Sequence, residues 1–152
     1  MDTKFNLDLE VVLKPIYWKT YPEITYGIDD IEINTILLQA SQTRLRMSFP
    51  LDNGEHQFWI TYNNKNYEEC KMDEGLDMSV EIASVSFEGM TLDRFKWAGE
   101  YYPEYPAWIT DGEQVIKQIT YLGWNGRWVI NFTTPIFTWI HQIENLGWIY
   151  NP

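Results

Sequence analysis

The chain has 152 residues, enough to bury one core without metals or disulfides and too few for a second independent domain. Its formal net charge of -11, from 22 acidic against 11 basic residues, opposes a phosphate backbone and argues against nucleic acid as a partner. A single cysteine, Cys70, excludes an internal disulfide and a cysteine-based zinc site, and no apolar run is long enough to suggest a signal sequence or membrane insertion.

Taken in chain order, Phe5 to Leu13 alternates apolar and polar residues, with apolar side chains at the odd positions, which is the period of a half-buried strand. Further strands are expected at Glu23 to Gly27 and, beyond the turn Gly27-Ile28-Asp29-Asp30, at Ile31 to Asn34. Others follow at Ile36 to Ala40, Thr43 to Phe49, Gln57 to Asn63 and Met78 to Phe87. The breaks are turn-like: Gly54 in Asp52-Asn53-Gly54 accepts a positive φ, and Asn63-Asn64-Lys65-Asn66 can visit the left-handed region. Short strands at close spacing without intervening helices predict a mainly β fold, an antiparallel β-sandwich.

Beyond Asp93 the texture changes. Trp97 to Trp108 holds five aromatic rings and two prolines in twelve residues, a mixture suited to a recognition loop and ill suited to a helix or a buried strand. Val115 to Tyr121 alternates as a strand, and Asn125-Gly126 between Trp124 and Trp128 is a hairpin signal. From Thr134 to Gly147 the pattern is that of a short helix, with Ile136, Trp139, Ile140 and Ile143 on one face. Residues 1–152 are thus expected to form one sandwich domain, with 93–152 as its aromatic-rich extension.

Catalytic signatures are missing. There is no phosphate loop, nucleophile elbow or His-Glu-x-x-His pattern, and the two histidines, His56 and His141, read as structural or solvated. A pair of carboxylates converging in space would make a hydrolase, but the chain is expected not to be an enzyme. Calcium is the candidate cofactor, because hard oxygen ligands are plentiful on three loops: Asp29, Asp30 and Glu32; Asp52 and Asn53; and the richest, Asn63 to Asp77. In that last loop Asn63, Asp73, Glu74 and Asp77 are the candidate metal ligands. Aromatic residues make up 16% of the chain, including eight Trp, more than a core of this size needs, so some rings should lie at a surface.

The stretch from Leu45 to Gly89 carries a family pattern. It runs from Leu51-Asp52-Asn53-Gly54-Glu55-His56 through Trp59 to Asn63-Asn64, crosses the acidic loop, and closes with Asp77-Met78-Ser79-Val80-Glu81-Ile82-Ala83-Ser84-Val85-Ser86-Phe87-Glu88-Gly89. This resembles the small calcium-dependent, xylan-binding carbohydrate-binding modules, with Gly54, His56, Asn63 or Asn64, Asp77, Ser84, Val85 and Gly89 in matching places. The resemblance implies a jelly-roll sandwich that binds glycans without catalysis. Two positions depart from it: Ser79 stands where such modules tend to carry Asn, and Ala83 where they carry an acid.

Within this reading Trp97, Tyr101, Tyr102, Tyr105 and Trp108 would stack on sugar rings, and Glu100 and Glu104 would accept hydroxyl hydrogen bonds. The alternative is a structural or interaction subunit, such as a virion or surface-assembly component made in the cytosol, whose aromatic loop docks on a protein surface.

Overall fold

The computed structural model describes residues 5–149, with side chains as far as Glu144. The chain folds as two antiparallel sheets face to face. In order it forms β1 (Phe5–Ile16), β2 (Glu23–Ile28), β3 (Ile31–Leu37), β4 (Thr43–Leu51), β5 (Gly54–Tyr62), β6 (Ser79–Phe87), β7 (Met90–Thr91), α1 (Asp93–Trp97), β8 (Glu100–Pro103), β9 (Ile116–Lys117), β10 (Tyr121–Leu122), β11 (Gly126–Thr134) and α2 (Ile136–Ile149). One sheet runs β10-β6-β1-β4 with β7 also on β6; the other runs β3-β2-β5-β11-β8-β9.

Period-2 alternation decides which side chains meet between the sheets. Leu7, Leu9, Val11 and Leu13 of β1 face Phe58, Ile60 and Tyr62 of β5 and Trp128, Ile130 and Phe132 of β11 in one buried cluster. The helix α2 closes one side of that core with Ile136, Trp139 and Ile140, and Ile143 packs partly against it, as the apolar face of the sequence predicts. Phe87, Phe95, Phe132 and Trp139 form an aromatic knot where α1, α2 and both sheets meet. Among the described residues no helix is long and apolar enough to cross a membrane.

Four local expectations are corrected. Ile36 to Ala40 is not a separate strand: β3 continues to Leu37, and the chain then turns with the Leu38 amide bonded to the Pro22 carbonyl. Val115 to Tyr121 is cut into β9 and β10, which belong to different sheets, because Gln118 adopts a left-handed φ of 55° that no continuous strand tolerates.

Asn125-Gly126 is likewise no hairpin, since β10 and β11 lie in opposite sheets. Gly126 is required for another reason: a Cβ there would meet the Tyr102 carbonyl oxygen at 2.3 Å, so only glycine lets β8 approach β11. Lastly, Trp97 to Pro103 is regular structure, the end of α1 followed by β8. The segment after Asp93 is woven into both sheets, with β11 between β5 and β8.

Candidate functional site

Strand register gathers four loops at one end of the sandwich. Ile16 of β1 pairs with Ser79 of β6, and Tyr62 at the end of β5 pairs with both Ile24 of β2 and Gly126 of β11, which in turn faces Pro103 of β8. The connections 17–22, 63–78, 104–115 and 123–125 therefore leave the sheets on the same side. The acidic loop and the aromatic loop, which look separate along the chain, form one surface.

Tyr67 of the acidic loop joins them. Its ring lies 5.4 Å from that of Trp108, edge to face, and 5.6 Å from that of Trp124. Tyr105 packs edge-on against Trp124 at 5.2 Å and donates its hydroxyl to the Glu113 carbonyl at 2.8 Å. Asn125 ties the backbones together: its side-chain oxygen accepts from the Lys65 amide at 2.7 Å and its carbonyl accepts from the Glu104 amide at 2.6 Å. Trp108 is left 67% exposed at the rim, with one edge held by Tyr67.

A second group of rings comes from the loop between β1 and β2. Tyr17 and Tyr21 meet edge to face at 4.8 Å, and Trp18 donates its indole N–H to the Glu69 carbonyl at 2.7 Å, under the Lys71 ammonium. The buried Glu69 carboxylate fixes this loop by accepting from the Thr20 amide, the Thr20 hydroxyl and the Asn66 amide group. All three rings remain partly exposed. Tyr17, Trp18, Tyr21, Tyr67 and Trp124 are absent from the sequence-based set, although Tyr17-Trp18-Lys19-Thr20-Tyr21-Pro22 has the same ring-and-turn composition as the loop that drew attention.

The seven residues expected to contact ligand divide among four places. Trp108, Tyr105 and Glu104 lie on the ring-bearing end. Glu100 and Tyr102 project from the outer face of the six-stranded sheet, where the Tyr102 hydroxyl donates to Glu100 at 3.1 Å, and Tyr102 pairs with Arg127, whose guanidinium stacks on Trp59 at 4.0 Å. Trp97 ends α1 under the Lys96 ammonium. Tyr101 must be corrected outright: it is fully buried and donates its hydroxyl to the Trp124 carbonyl, because alternation along β8 turns it inward while its neighbours turn out.

The residues of the expected calcium loop do not share a cage. The side-chain amide of Asn63 donates to Thr25 at 2.8 Å and to Glu23, across the sheet; Asp73 and Glu74 are exposed on a 3-10 turn; and no hydrogen bond or ion pair joins any of the three to Asp77. Among the described residues no group of three or more His, Cys, Asp or Glu is arranged to hold a metal.

Asp77 is itself fully engaged. Oδ1 accepts from the Met78 amide at 2.8 Å, from Cys70 Sγ at 3.3 Å and from Lys65 Nζ at 3.4 Å, and Oδ2 accepts from Ser79 Oγ at 2.9 Å and from the Tyr121 hydroxyl. Burial alone would raise the Asp77 pKa, but the hydrogen bonds and the Lys65 charge outweigh it and lower it to about 2. Burial and the same contact push the Tyr121 hydroxyl up to about 12.

Other surfaces carry less aromatic character. An open groove of about 550 Å³ on the outer face of the five-stranded sheet is lined by Asp8, Glu10, Arg46, Ser48, Ser86 and Thr91 among others, without a ring. At the opposite end His56 bridges two turns, with Nδ1 2.7 Å from Asp29 Oδ2 and Nε2 2.6 Å from the Asp52 carbonyl.

No family model matches this chain, and no curated protein matches it. Among solved structures it is similar to vCBM60 in complex with galactobiose, with a TM-score of 0.52 and 10% identity over 83% of this chain and 97% of that one. It is also similar to the selenomethionine form of vCBM60, described with an evolutionary link by circular permutation between two families of calcium-dependent carbohydrate-binding modules; there the TM-score is 0.55, with 12% identity over 82% of this chain and 89% of that one. At such identities the shared property is the fold, a β-sandwich of two antiparallel sheets.

Proposed function

We propose that this chain is a single-domain, non-catalytic β-sandwich that binds neutral oligosaccharides through the ring-bearing end. The observation that carries the reading is that two ring groups, Trp108, Tyr67 and Tyr105 and then Tyr17, Trp18 and Tyr21, lie on loops at the same end of the sandwich, with Trp108, Tyr17, Trp18 and Tyr21 exposed. Sugar C–H faces lie on such rings at little rotamer cost, and the neighbouring Glu104 and Glu68 offer acceptors for hydroxyl donors. A net charge of -11 favours neutral over anionic saccharides. The shared fold supports the same reading, and the galactobiose complex of the neighbouring structure places galactosides among the first ligands to test.

The test is a glycan array followed by calorimetry on the best ligand. Trp108→Ala should weaken binding by on the order of 1 to 3 kcal/mol without moving the melting temperature. Phe137→Ala, an exposed ring on α2 away from the four loops, should leave affinity unchanged. An array with no neutral glycan bound overturns the reading.

A further inference from the structure

Lys65 is a cation buried against Asp77, one of the calcium ligands expected from the acidic loop. Its side chain is only 4% exposed, and its ammonium donates to Asp77 Oδ1 and to the Met78 carbonyl. Those are the two kinds of oxygen, carboxylate and backbone carbonyl, that a calcium ion would recruit. Calcium needs six to eight oxygens at roughly 2.3–2.6 Å. Asp77 already accepts five hydrogen bonds, and a divalent ion at its Oδ1 would lie within a few ångströms of a fixed positive charge. The remaining acids of the loop, Asp73 and Glu74, stay in solvent on their 3-10 turn.

We infer that the Lys65 ammonium is the built-in counter-ion of Asp77, so that the 63–78 loop, and the ring of Tyr67 that it carries, are organised without calcium. An ammonium with three donors can bridge the carboxylate and the carbonyl and hold the start of β6 against the loop, as a metal would, while adding no dependence on free ion concentration. The surrounding Cys70, Ser79 and Tyr121 donors complete the cage, which leaves the carboxylate no free lone pair for a metal.

The experiment uses the whole chain and calcium chloride alone, with no glycan, so its result is independent of whether the protein binds sugars. Isothermal titration into EDTA-stripped protein should show no saturable uptake up to millimolar calcium, and the melting temperature should agree in EDTA and in calcium. Saturable uptake, or a melting temperature that EDTA lowers by several degrees, overturns the inference. Lys65→Met should lower the melting temperature by about 6 to 20 °C, because it strands the Asp77 charge. A Lys65→Met protein as stable as the parent in EDTA also overturns it.

Discussion

Two ionic contacts, one at each end of the sandwich, are built differently. The Asp77 cage is saturated with donors, so its charge is fixed across the neutral range. The His56 bridge responds to pH. Burial alone would lower the His56 pKa, but the hydrogen bond to Asp29, the Asp52 carbonyl and the charges of both carboxylates raise it above its ordinary value. A group whose folded pKa is raised contributes stability that is complete below its unfolded pKa of about 6.5 and is lost as pH rises through the folded value. The melting temperature should therefore fall as pH rises above about 6.5, and His56→Gln should flatten that part of the profile. An identical profile in the variant would show that the bridge carries no such coupling.

At the scale of elements, the joint between α1 and β8 is tightly packed, and it sets where the aromatic segment begins. A Cβ at Gly99 would meet the Trp128 indole at 2.3 Å, and that indole cannot retreat because it is fully buried with its N–H bonded to the Ile119 carbonyl. Gly99→Ala should cost about 1 to 3 kcal/mol, read as a lower denaturant midpoint at unchanged slope. Such a loss would also weaken the placement of Tyr105 and Trp108, since β8 leads directly into their loop. An unchanged midpoint would mean that the helix and strand separate easily.

For the molecule as a whole, α2 is the element whose loss reaches every layer, because Trp139 touches Phe87 of one sheet, Phe132 of the other and Phe95 of α1. Trp139→Ala should cost about 3 to 5 kcal/mol, a large share of the roughly 5 to 15 kcal/mol expected for a domain, and should broaden or abolish the thermal transition. The sandwich, the inward positions of β1 and the apolar face of α2 could all be read from the sequence, because period 2 and period 3.6 are local consequences of backbone geometry. Residues 45–89 also carried a likeness whose implied β-sandwich is the fold observed. What could not be read was contact between segments far apart. Tyr101 reads as one more ring of a recognition loop until β8 finds its place beside β11; Val115 to Tyr121 alternates like one strand until Gln118 sends its halves to different sheets; and nothing local pairs Asp77 with Lys65, twelve positions earlier, whose ammonium the fold sets against it. Composition alone determined that rings and acids would be abundant and that some must reach the surface. Only tertiary structure decided which rings share a face and which charges neutralise each other, because both depend on strand register across the sheets, which no local pattern encodes.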